Sequence, residues 1–145
     1  MNNPFFKNYG PFKIDKLLKI SEVNNINKFS KIKIFDIKDL ISAKKNDVTF
    51  FHSNKYSELA SKTKASFCVT TKNLSHLIPS KCCKIIVDNV LIATAKITKT
   101  FYPDSVNDNF DIKVKNIKKT SYTKKVKFGQ NVLIGKNVKI GKNCL

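Results

Sequence analysis

Residues 128–145, FGQNVLIGKNVKIGKNCL, place an apolar residue followed by glycine at every sixth position: Phe128-Gly129, Ile134-Gly135 and Ile140-Gly141. The register extends upstream and can be read at two positions at once. Tyr122, Phe128, Ile134 and Ile140 fill one column; Val126, Val132, Val138 and Cys144 fill the other, and asparagines recur at 131, 137 and 143. Neither a helical period of about 3.6 nor the two-residue alternation of a strand generates this pattern. A short strand, a corner and another short strand do, coiling so that equivalent faces stack. Corners call for positive φ, which glycine adopts freely and asparagine tolerates. About three such hexads complete one triangular turn of a parallel β-helix. A solenoid turn needs neighbours to bury its face, and the rhythm is still running at Leu145. The sequence therefore reads as a truncated protein, with more of the same repeat expected to follow.

Working outward, residues 104 to 119 are polar and without sustained periodicity, and read as a linker passing into irregular first repeats that ends by residue 121. Ahead of them, strand and helix signals alternate. Ile14, Leu17 and Leu18 predict a brief amphipathic helix over 12–20, introduced by Gly10-Pro11. A second short helix is predicted at 36–41, with Asp36 as cap and Ile37, Leu40 and Ile41 as its apolar stripe. Lys44 to Asp47 reads as a turn and Val48 to Phe51 as a strand. Helix follows over 55–62, strand over 65–70, and strand again over 84–87, where Ile85, Ile86 and Val87 predict burial on both faces. Val90, Ala93, Ile97 and Phe101 then step by three or four through the longest helix, with Pro103 just beyond it. The expectation is a compact α/β domain over residues 1–103, a connection over 104–121, and the start of a β-helix over 122–145.

The net charge of +18 first suggests a polyanionic partner. All 28 basic residues are lysine, however, and nucleic-acid binders lean on arginine's planar fork. Nucleic acid is not the expected partner; a basic module binding it remains the alternative from another functional class. An acidic protein partner fits, because steering needs only charge. No signal-peptide pattern and no apolar run near the ~18 residues of a membrane span occurs, so the expectation is a cytoplasmic protein without a transmembrane segment. Cys68, Cys82, Cys83 and Cys144 lack the spacing of a zinc site and read as small buried hydrophobes. No metal or cofactor is expected. His52 and His76 read as loop residues, not as a general base.

The segment TFFHSNKYSELASKTKASFCVT, residues 49–70, is more informative. Phe50 at a strand end and Tyr56 at the following helix start both face one loop mouth, and two such rings can hold a flat heterocycle. Ser53 between them can hydrogen-bond a base edge or cap the helix. By chemistry alone the plainer reading is favoured, with Phe50 in the core and Tyr56 packed on the sheet.

The succession of YGPFKIDKLLKIS (9–21), DLISAKKNDVTFFHSNKYSELASKTKASFCVT (39–70), KIIVDNVLIATAKITKTFYPDS (84–105) and hexapeptide repeats resembles the bacterial UDP-3-O-acylglucosamine N-acyltransferases of lipid A biosynthesis. The most specific pieces are Gly10-Pro11-Phe12, Phe50 to Tyr56, Leu59 to Ala65 and Phe101-Tyr102-Pro103. The resemblance implies a homotrimer whose N-terminal α/β domain holds uridine and whose left-handed β-helix carries the active site. It implies that Phe50 and Tyr56 sandwich uracil. Ser53 stands where many members have asparagine. It further implies transfer of a 3-hydroxyacyl chain from acyl carrier protein to the 2-amine of UDP-3-O-acylglucosamine. A histidine of the β-helix would act as general base. No histidine follows His76, so no catalytic residue is expected before Leu145, and this chain is expected to bind without turnover. Another UDP-sugar acyltransferase with the same β-helix is the nearest alternative.

Overall fold

A computed structural model describes residues 6–23, 32–106, 126–134, 138 and 140–141. The chain divides into two compact units, Met1–Asn107 and Asp108–Leu145.

In the first unit, strand β1 (Phe12–Lys13) runs directly into helix α1 (Ile14–Ile20) and pairs antiparallel with β2 (Lys33–Ile34). The main sheet follows: β3 (Asp36–Ile37), β4 (Asp47–Phe51), β5 (Phe67–Thr70) and β6 (Cys83–Ile86), adjacent in chain order and all parallel. Between β4 and β5 lie a 3-10 turn, Asn54–Tyr56, and helix α2 (Ser57–Ser61); Lys72–Leu77 forms a 3-10 segment between β5 and β6. Helix α3 (Val90–Phe101) closes the domain.

Crossovers of one hand between successive parallel strands place their connections on the same face of a sheet. Here Leu40 and Ala43 from the β3–β4 connection, Ala60 of α2 and Ile78 beyond the second 3-10 segment share one core with Phe51 and Cys68. The opposite face carries α1 and α3. Ile14, Leu17 and Leu18 meet Val90, Ala93, Ile97 and Phe101 over Val48, Val69 and Ile85. Each fully buried Ile or Phe in that layer contributes about 1.5–3 kcal/mol relative to exposure. Asn89 caps α3, its Oδ1 accepting from Ile92 N at 3.0 Å, and satisfies a donor that the first helical turn leaves free. Phe12 meets Phe101 edge-on at 5.1 Å, tying β1 to the end of α3.

Two sequence expectations are overturned. Asp36 to Ile41 is not a helix. Asp36 and Ile37 pair with Asp47 and Val48 as β3, and the Asp36 carboxylate accepts from Tyr102 and from Ile37 N instead of capping. Asp39 then accepts from Ile41 N and Ser42 N, both at 2.8 Å, making a side-chain-closed turn that competes with a short helix. β6 is also not buried on both faces. It is an edge strand of this sheet, and Ile86 is 41% exposed. Cys68 and Cys82 are buried and free, as small hydrophobes; burial raises both thiols, that of Cys82 to about 12.

In the second unit, Ile134 is buried and makes a β-bridge; Phe128 and Ile140 of the same column are half-buried. Val132 and Val138 of the other column are exposed. At the Gln130–Asn131 turn, Asn131 takes the positive φ, 57°, while neither Gly129 nor Gly141 does. The left-handed conformation at this turn thus falls on asparagine, whose short polar side chain tolerates it. Residues 107–125, Gly135, Asn137, Asn143 and Cys144 lie outside the described residues.

Candidate nucleotide pocket

In open parallel sheets ligands settle beyond the carboxyl ends of the strands, where loops diverge. Such a cavity, about 280 Å³, lies beyond β3 and β4. Asp39, Leu40 and Ile41 of the β3–β4 connection form one wall, Phe50, Phe51 and His52 come from the end of β4, and Tyr56 and Leu59 complete it. The wall is largely apolar, and its rim is unusually so: Ile41 is 76% exposed, Tyr56 40% and Leu59 38%. A cavity of this size and character suits a flat, mostly apolar ring with a few polar contacts.

Local sequence explains how these groups converge. Alternation along β4 sends Val48 and Phe50 toward the α1/α3 core and Phe51 toward the other. Phe50, the last of its set, is only half-buried and keeps part of its ring at the cavity. Ser53, two residues beyond the end of β4, caps the 3-10 turn, its Oγ accepting from Lys55 N at 3.4 Å. That turn delivers Tyr56. The opposite wall is fixed by Asp39, whose carboxylate also accepts from Ser42 Oγ. This hydrogen bond, with that of Ser42 N, holds the Asp39 carboxyl below its ordinary range.

Phe50 and Tyr56 therefore line one cavity. Ser53 caps the turn beside it and does not line it. His52 does. Its imidazole lies 6.4 Å from the Phe50 ring at 27°, and 5.9 Å from the Tyr56 ring at 47°. Asp39, Leu40, Ile41 and Leu59 were not singled out from sequence as site residues. Their signal is positional, since each follows or faces the carboxyl end of a parallel strand.

Residues 31–100 match the model of the family described as UDP-3-O-(3-hydroxymyristoyl) glucosamine N-acyltransferase, LpxD. These residues span the whole main sheet and the cavity. The chain is 35% identical over 106 residues to the UDP-3-O-acylglucosamine N-acyltransferase of Rickettsia prowazekii (strain Madrid E), covering 70% of this chain and 30% of that protein. It is 36% identical over 102 residues to the protein of the same name from Rickettsia canadensis (strain McKiel), covering 68% and 29%. The matched residues are similar to this N-acyltransferase family.

The chain spans about 30% of the length of the relatives it matches. Among the described residues no helix is long and apolar enough to cross a membrane.

Proposed function

We propose that this chain is the uridine-recognising N-terminal portion of an N-acyltransferase of lipid A biosynthesis. The complete enzyme transfers a 3-hydroxyacyl chain from acyl carrier protein to the 2-amine of UDP-3-O-acylglucosamine. In this reading Phe50 and Tyr56 stack on the two faces of uracil, and Ser53 approaches its edge. The second unit begins a left-handed β-helix, three chains assemble, and the enzyme works in the cytoplasm. The domain boundaries are 1–103, 104–121 and 122–145.

The observation that supports this best is the convergence of Phe50 and Tyr56 on one apolar cavity at the carboxyl end of β4, within residues that match the family. Base-to-aromatic stacking supplies about 1–3 kcal/mol per base, and in the complete enzyme that remote binding energy serves to orient the amine against the thioester. His52 and His76 are the two histidines of the sequence, and both lie in the first unit; the general base is assigned to the β-helix. An open groove bordered by Lys45, Lys64 and Lys81, and by Lys62, which pairs with Glu58, fits an acidic carrier protein.

Titrating the purified chain with UDP and with a random oligonucleotide, followed by tyrosine fluorescence, tests the reading. Saturable UDP binding that Tyr56→Ala weakens is expected. Salt-sensitive oligonucleotide binding indifferent to Tyr56, without UDP binding, overturns it in favour of a basic nucleic-acid module.

A further inference from the structure

Stacking accounts for the base of a uridine nucleotide and leaves its charge without a partner. Among the described residues, the side chains lining the cavity that carry a polar group are Asp39, His52 and Tyr56. Asp39 is the wrong sign for a phosphate, its carboxyl held below the ordinary range by Ser42. The Tyr56 phenol is neutral. His52 is the one of the three that can carry positive charge, and either protonation state of imidazole offers an N–H. Its ring stands beside those of Phe50 and Tyr56, 6.4 Å and 5.9 Å away between centroids. Among the described residues its ring nitrogens have no hydrogen-bond partner.

We propose that His52 binds the diphosphate of the nucleotide, donating a ring N–H to a phosphate oxygen at the cavity mouth. The proposal rests on the uridine-pocket reading above. Exposure sets the direction. Phe50 is half-buried, whereas His52 is exposed, so the imidazole lies toward solvent from the inner stacking ring. A base held by its faces in a largely apolar cavity leaves its sugar and phosphates on that same solvent side, where their charge stays hydrated. An N–H donated to an anionic oxygen is stronger than one between neutral groups, and a donor with no partner to give up loses no protein hydrogen bond in making it. His52 thereby favours nucleotides over nucleosides, a selectivity that stacking rings alone do not provide.

The test uses the full 145-residue chain with UDP and uridine as probes, titrated by calorimetry. His52→Ala is expected to weaken UDP binding by about threefold to tenfold, as one charge-assisted hydrogen bond allows, and uridine binding by less than about twofold. His52→Phe keeps a ring against Phe50 and Tyr56 but has no N–H, and is expected to lose the preference for UDP as His52→Ala does. The general attraction of a chain of net charge +18 is common to all three proteins and cancels in the comparison. UDP binding unchanged in His52→Ala, or UDP and uridine weakened equally, overturns the proposal while leaving the pocket reading intact. Retention of the UDP preference by His52→Phe also overturns it. Absence of saturable binding of both probes to the wild-type chain overturns the pocket reading, and the role of His52 with it.

Discussion

The Tyr102 hydroxyl donates a 2.6 Å hydrogen bond to Asp36 Oδ1, joining the residue after α3 to the first residue of β3 across 66 positions of sequence. Asn8 Nδ2 donates to the same hydroxyl and to Phe35 O, and Lys38 bridges Asp36 to the buried Asp47. Burial, then the Asp36 hydrogen bond, pushes the Tyr102 phenol from 10.0 up to about 12. A group whose folded pKa is raised contributes fully below its unfolded pKa and loses that contribution as pH climbs toward the folded one. Wild-type stability relative to Tyr102→Phe is therefore expected to be constant below about pH 10 and to decline between roughly pH 10 and 12. At neutral pH, Tyr102→Phe is expected to cost about 1–2 kcal/mol, since it leaves a carboxylate short of a donor. Urea unfolding of both proteins across this pH range measures each effect.

Gly10 owes its identity to space, not to an unusual φ. A Cβ there would lie 2.8 Å from the Phe101 ring and 3.0 Å from both Phe35 O and Asn8 Oδ1. Gly10→Ala is expected to destabilise the domain by about 1–3 kcal/mol through overpacking. Gly129→Ala, with nothing within 4 Å, is expected to stay within about 0.5 kcal/mol of wild type. Thermal unfolding of the two variants side by side gives the comparison.

Thr49 stands in the middle of β4, fully buried, and its hydroxyl has no hydrogen-bond partner. Valine has nearly the same shape without that desolvated oxygen. Thr49→Val is expected to raise stability by about 1 kcal/mol, visible as a higher urea midpoint at unchanged slope.

Tyr56 and Phe50 are expected to differ as mutation sites although both line the cavity. Tyr56 is substantially exposed, so Tyr56→Ala should weaken UDP binding by about fivefold to 150-fold, the equivalent of ~1–3 kcal/mol, with little change in stability. Phe50 also packs against the α3-side core, so Phe50→Ala should lose both binding and stability. Calorimetric titration alongside thermal melts separates the two.

Ser53 caps its turn through a long hydrogen bond of 3.4 Å. Asparagine caps equally well and reaches further, with an added donor. Ser53→Asn is expected to leave the melting temperature unchanged and to tighten UDP binding by up to about tenfold, as one new hydrogen bond allows. Unchanged affinity would remove this position from base recognition.

Local pattern was enough for elements whose stability is local or whose burial is one-sided. Val90, Ala93, Ile97 and Phe101 specified α3 because their spacing builds one apolar face, and that face is the one buried. Val48 to Phe51 read as a strand, as did Ala65 to Thr70, since β-branched and aromatic runs bounded by turn residues have few other options; the observed strands are Asp47–Phe51 and Phe67–Thr70. Tertiary pairing decided where local signals were short. Asp36 and Ile37 carry a helical spacing, yet a two-residue segment has too little local energy to resist pairing with Asp47 and Val48. That pairing carries the following turn over the sheet end and turns Leu40 and Ile41 into a pocket wall. The sequence by itself determined that Phe50 and Tyr56 flank one loop, because strand and helix starts fix the directions of their side chains. Only the tertiary structure decided that His52 lines the same cavity as both rings, because ring-to-ring placement depends on where the capped turn at Ser53 folds back, and no sequence period encodes that.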